Sequence, residues 1–267
     1  MSRKTKSQRR GTVPNARRFA YHIGWANQIG EGGFVGRLLL IVLAGLYAAG
    51  PSLSKTVPEL PAKRHPPPAW GKPPLTDGPR EWPPEEIAAA QRACIAVVAR
   101  ASFDLEPLDP IREGQCGAPA PISLRALPGD AGLQLVPPAT LTCDMAARFR
   151  DWVDRVLQPT ATARLGSPVA KIRLMGTYSC RRRYNAPDTR ISQHALANAI
   201  DIAAFQTADG QVVSVLEHWP GDDERAAFLR DSHTGACQIF DTVLGPRANE
   251  AHANHFHFDI GSAGICE

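Results

Sequence analysis

Apolar and polar residues follow different regimes along the chain. Residues 34–53 are almost continuously apolar, residues 54–84 are dominated by proline, and from residue 85 onward apolar positions recur at helix and strand periods. In that last part Pro83-Pro84-Glu85-Glu86 reads as a helix start with acids in the first turn, and the helix is predicted to reach about Arg100. After Thr142 the residues Met145, Phe149, Trp152, Val153 and Val156 recur at helical spacing, which predicts a second helix with this stripe in the core. Short apolar stretches at Ile122–Leu124 and Leu133–Val136 predict strands, and Lys171 to Met175 alternates as a strand does. Ala199–Phe205 and Gln211–Val215 flank the turn signal Asp209-Gly210 and predict a hairpin. Asp222–Leu244 reads as helix with a break at Gly235, and a last strand follows. Helices and strands in separate runs predict an α+β domain with an antiparallel sheet and packed helices.

That last strand carries chemistry. His255, His257 and Asp259 alternate with Phe256, Phe258 and Ile260, so a strand places the polar set on one face and the apolar set on the other. Residues two apart on one face lie roughly 6–7 Å from each other, close enough to aim at one small volume. Upstream, His194 precedes Asp201 by seven positions, and Ala199-Ile200-Asp201-Ile202-Ala203 reads as a buried strand with one acid. A lone buried carboxylate is costly unless compensated, and a bound cation would compensate it. One histidine, one carboxylate and a second histidine form a zinc-ligand set. A backbone-held Asp and an exposed His-x-His strand are the plain alternatives.

Charge and composition locate this domain. The formal net charge is +4, but residues 1–37 hold eight Lys/Arg against Glu31 alone, leaving −3 on the rest. The basic character therefore belongs to the tail and gives no reason to expect nucleic-acid binding. Residues 1–33 read as a basic cytoplasmic tail and residues 34–53 as a membrane segment, long enough to span if Arg37 snorkels. A cleaved signal peptide competes with this reading, with Ala48-Ala49-Gly50 as its small-residue site. Pro51 directly after it would obstruct cleavage, which favours an uncleaved inner-membrane anchor with the rest in the periplasm. Residues 54–84, with Pro66-Pro67-Pro68, Pro73-Pro74 and Pro83-Pro84, read as an extended spacer. All six cysteines, Cys94, Cys116, Cys143, Cys180, Cys237 and Cys266, lie beyond the apolar run and predict three disulfides. Fifteen pairings are open, and proximity along the chain suggests Cys94 with Cys116.

Over roughly residues 85–267 the chain resembles the extensin-like C-terminal domain family of bacterial proteins. The resemblance rests on Tyr178-Ser179-Cys180-Arg181, Ser192-x-His194-x(6)-Asp201-Ile202, Val243-Leu244-Gly245-Pro246 and His252-x-x-His255-x-His257-x-Asp259. That family is similar in turn to the hedgehog-like zinc peptidases of peptidoglycan, the D-Ala-D-Ala carboxypeptidases and murein endopeptidases. The resemblance implies Zn²⁺ on His194, Asp201 and His257, with water in a fourth position. It implies hydrolysis of peptidoglycan peptides. Many of those carboxypeptidases carry a Glu three residues before the last ligand; here Asn254 stands there, so the proton-handling role passes to His255. Arg181 is the expected cation, although Arg182, Arg183 and Arg190 are close by. His252 orients water or substrate, or is a loop histidine. Ser192 and Asp259 support the ligands from behind, or Asp259 is a strand-end acid. Ala197 replaces a usual Gly, beside an unusual Asn198. A non-catalytic zinc or cell-wall-binding envelope protein of the same fold, and a purely structural zinc domain, are the competing readings.

Overall fold

The computed structural model describes residues 81–129, 132–186, 189–261 and 263–267. The expected tail, membrane segment and spacer lie outside the described residues up to residue 80. Among the described residues no helix is long and apolar enough to cross a membrane. Folded structure begins before residue 85: Trp82 is buried and its indole N–H donates to the Ile111 carbonyl at 3.2 Å.

The first helix, α1, is Pro84–Val98, with Pro84 and two acids in its first turn as expected. Strands β1 (Asp104–Pro107), β2 (Ile111–Glu113), β3 (Cys116–Ala118), β4 (Ile122–Leu127) and β5 (Leu133–Leu141) follow. The Thr142 hydroxyl caps α2 (Cys143–Trp152) by accepting from the Met145 N–H at 3.3 Å. The helical path continues through a wide turn, Val153–Leu157, into α3 (Gln158–Leu165), which ends at Gly166 with φ 75°. Pro159 accounts for the wide turn, because a proline has no N–H for the preceding turn and its ring crowds that carbonyl. Then come β6 (Val169–Gly176), β7 (Ala199–Thr207), β8 (Val212–Ser214), α4 (Val215–His218), α5 (Glu224–Ala236), β9 (Thr242–Leu244), β10 (Phe256–Asp259) and β11 (Ile265–Cys266).

The main sheet runs β1-β4-β5-β6-β7-β10-β9-β11, with β8 also paired to β7 as the predicted hairpin. Two pairs depart from the expected antiparallel sheet. β5 and β6 are parallel because the α2–α3 crossover connects them, and β11 lies parallel to β9. The expected helix across 222–244 is also corrected. The expected break at Gly235 falls at the helix end, and a Cβ there would lie 2.3 Å from Val156, so its bare backbone also allows a close helix crossing. The helix ends at Ala236, and Thr242–Leu244 forms a strand beside β10.

The predicted helical stripe is core. Trp152 meets Phe258 edge-on at 5.2 Å, Phe205 meets Phe228 at 5.2 Å, and Phe240 stacks on Phe258 at 4.9 Å. The phenylalanines of β10 thus turn toward the helices, which leaves its polar residues on the opposite face. All six cysteines are paired, but the suggested Cys94–Cys116 link is replaced by Cys94–Cys143, Cys116–Cys180 and Cys237–Cys266. The reason is packing: α1 lies on the start of α2, and β3 lies near the chain that leaves β6.

Candidate metal centre

The spacing between His194 and Asp201 is a compact structural unit. Ser192 caps a single 3-10 turn, Gln193–Leu196, accepting from the His194 N–H at 3.3 Å. Ala197 then reverses the chain in the left-handed region at φ 55°. The Asn198 side chain accepts from the Thr142 hydroxyl at 2.8 Å, tying this reversal to the start of α2. The chain enters β7 at Ala199, and Asp201 is its third residue. On the neighbouring strand His257 stands directly opposite Asp201 in register. On the other side Gly176 pairs with Asp201, and a Cβ there would lie 3.0 Å from the carboxylate.

These elements bring His194, Asp201 and His257 together, all buried. His194 Nε2 lies 3.1 Å from His257 Nδ1 and 3.1 Å from Asp201 Oδ2, and His257 Nδ1 lies 2.9 Å from Asp201 Oδ1. The outer ring nitrogens fix what faces inward. His194 Nδ1 lies 2.5 Å from the Thr177 carbonyl, which can only accept, so Nδ1 carries the proton and Nε2 presents a lone pair. His257 Nε2 lies 3.0 Å from Asp259 Oδ2, so that nitrogen donates and Nδ1 faces Asp201. Asp259 is itself held by the Gly261 N–H at 2.7 Å. Two imidazole lone pairs and a carboxylate therefore converge in a buried volume, an arrangement that requires a cation.

A proton can serve as that cation. Burial alone pushes His257 down, but its bonds to Asp201 and Asp259 outweigh burial and raise it to about 9. Burial pushes Asp201 up; when the facing nitrogens of His194 and His257 carry protons in place of a metal, their hydrogen bonds and charges outweigh burial, so the carboxylate stays ionised far below its usual range. A divalent ion suits the same atoms: two imidazole nitrogens and one carboxylate oxygen, each imidazole oriented from behind, fit zinc.

Two further histidines adjoin this point. His255 Nδ1 donates to Asn254 Oδ1 at 2.8 Å, and its Nε2 lies 3.7 Å from Asp201 Oδ1. His252 Nδ1 donates to Asn249 Oδ1 at 2.8 Å. Burial, above all, lowers both imidazoles, His252 to about 4, so both are neutral at pH 7 with Nε2 able to take a proton. Asn254, which stands in the place of a Glu in many of the resembled enzymes, orients His255. Thr177, Gly176 and Asn249 belong to the site without standing out in the sequence. Thr177 acts through its backbone, which leaves no residue-type signal.

These side chains line a cleft of about 780 Å³. Arg182 donates to the Thr189 carbonyl at 2.6 Å and to Gln115 at 3.2 Å, a structural role. Arg181 and Arg183 line the cleft, and Arg190 does not. The Tyr178 hydroxyl donates to Glu113 at 2.9 Å. Residues 92–267 match the family model described as Extensin-like protein C-terminus. No curated protein and no solved structure matches the chain.

Proposed function

The chain belongs to the extensin-like C-terminal family, and from that premise we propose that it hydrolyses amide bonds of peptidoglycan peptides with Zn²⁺ held by His194, Asp201 and His257. The observation that carries this reading is the set of three inward-facing acceptors with both imidazoles oriented from behind, by Thr177 and Asp259. When bound, zinc supplies polarisation of a carbonyl and brings the pKa of a coordinated water toward about 7. The protein's own residues do the rest. Asp201 contributes a permanent negative charge. His255, neutral and 3.7 Å from Asp201, is placed to take a proton and return it to the leaving amine. Arg181 offers a charge to a developing oxyanion or a substrate carboxylate from the wall of the cleft. His252, held by Asn249, orients water or substrate.

The same proposal places the domain in the periplasm, anchored in the inner membrane. Its support is the basic tail before an apolar run and the pairing of all six cysteines. One observation favours a second reading, a zinc-holding protein that binds wall without cutting it: Asn254 stands where many of the resembled enzymes have Glu. Purified peptidoglycan incubated with the protein, with and without a chelator, separates the two. Chelator-sensitive release of peptide fragments of altered mass supports hydrolysis. Stoichiometric zinc with wall binding and no fragments supports the second reading.

A further inference from the structure

The chain leaving β6 carries a feature that the metal centre does not use. Tyr184 and Asn185 are consecutive residues in the left-handed region, at φ 54° and 55°. Asparagine tolerates this conformation; a bulky aromatic does not. The described residues on either side of the turn are tied together. The Arg183 N–H donates to the Arg190 carbonyl at 2.9 Å, and the Thr189 hydroxyl lies 2.7 Å from both the Arg183 and Ala186 carbonyls. Arg182 bonds the far side of the turn and Gln115, while the Cys116–Cys180 disulfide fixes its base.

These bonds hold the backbone that carries the Tyr184 side chain. Tyr184 is 62% exposed, and its ring makes no hydrogen bond or ring contact with the described residues. It lines the cleft, together with Arg181 and Arg183, whose guanidinium groups also form no hydrogen bond or ion pair with the described residues. Backbone strain maintained to hold an aromatic ring in solvent is costly for the folded protein alone and useful only to a ligand.

We propose that Tyr184 is a specificity-determining residue whose ring stacks on the peptide backbone of an acidic peptide, so that a carboxylate of that peptide lies between Arg181 and Arg183. An aromatic face beside two guanidinium groups matches a ligand that is flat and apolar next to an anionic group. The peptide's identity as a wall stem peptide rests on the function proposed above; the stacking site does not.

Binding of a purified stem pentapeptide to the full chain in mild detergent, with zinc removed so that no turnover occurs, tests this directly. Tyr184→Phe should bind within about twofold, because the ring and not the hydroxyl is used. Tyr184→Gly should weaken binding tenfold or more, while Tm rises by about 2–4 °C as the left-handed strain is relieved. A lower Tm for Tyr184→Gly would make the ring structural and overturn the proposal, as would unchanged affinity. No binding by the unaltered chain would overturn the acidic-peptide ligand. Binding without cleavage once zinc is restored would instead remove the hydrolase reading and leave this site standing.

Discussion

Replacing Asp259 by Asn tests how much zinc binding at the proposed site depends on the support behind His257. The Asp259 carboxylate accepts from His257 Nε2 at 3.0 Å and from the Gly261 N–H at 2.7 Å, both in a buried setting. An amide cannot keep both bonds. With its oxygen toward His257, its NH₂ meets the Gly261 N–H, donor against donor. With its NH₂ toward His257, it forces the proton onto Nδ1 and removes the lone pair that faces Asp201. Loss of such support reduces metal affinity by about 10–100-fold, or about 1.4–2.7 kcal/mol. A second effect has the opposite sign. With His257 raised to about 9, zinc must displace a proton at pH 7, which lowers apparent affinity about 100-fold, or about 2.7 kcal/mol. Apparent affinity of the unaltered protein should therefore climb about tenfold per pH unit and level off near pH 9. Asp259→Asn removes one of the carboxylates that raise His257, so its plateau should begin at lower pH and lie lower. Zinc competition against a chelator of known affinity between pH 6 and pH 10 reads both effects. A plateau of unchanged height and onset in the variant would refute the assigned tautomers and the role of Asp259.

Three further outcomes follow from the same geometry. His255→Ala should keep zinc nearly stoichiometric while hydrolysis falls about 10²–10⁴-fold, whereas His257→Ala should lose zinc; equal zinc loss, by elemental analysis, would erase that division of labour. Gly176→Ala should fold, since its Cβ meets the movable Asp201 carboxylate at 3.0 Å, yet bind zinc less tightly because that carboxylate is displaced, as the same competition would measure. The oxidised protein should show no reactive thiol on titration, and removing Cys116–Cys180, which closes 64 residues, should cost about 4 kcal/mol in denaturant unfolding.

Much of the site was legible because its signals are local. The His194–Asp201 spacing encodes one 3-10 turn, one reversal and two strand residues, and the alternation around His257 encodes a strand with distinct faces. The usual glycine of the resembled peptidases at position 197 also acquires a reason, since Ala197 sits at φ 55°. The roles of Thr177 and Gly176 were not legible. One is a carbonyl and the other an absent side chain, and both depend on β6 lying beside β7, a long-range pairing. The cysteine pairing failed for the same reason: Cys94 finds Cys143 through helix packing that chain proximity does not reveal. Gly235 did mark the end of α5, but its second role, the close approach of Val156, has no local signal, and neither has the pairing of Thr242–Leu244 with β10.

The direct pairing of His257 with Asp201 makes the chemistry a matter of parity. An odd insertion or deletion within β10 would exchange the two faces of the strand, sending Phe256 or Phe258 into the cleft and an imidazole among the core aromatics. An even one would restore the faces but move the histidine about 7 Å along the strand, beyond reach of its partners. The part of the β9–β10 connection before Asn249 is not strand, so a change of length there does not by itself shift the register of His257 against Asp201. Length variation is thus tolerable on one side of a sharp boundary, and on the other a single residue decides between a binding site and a hydrophobic plug.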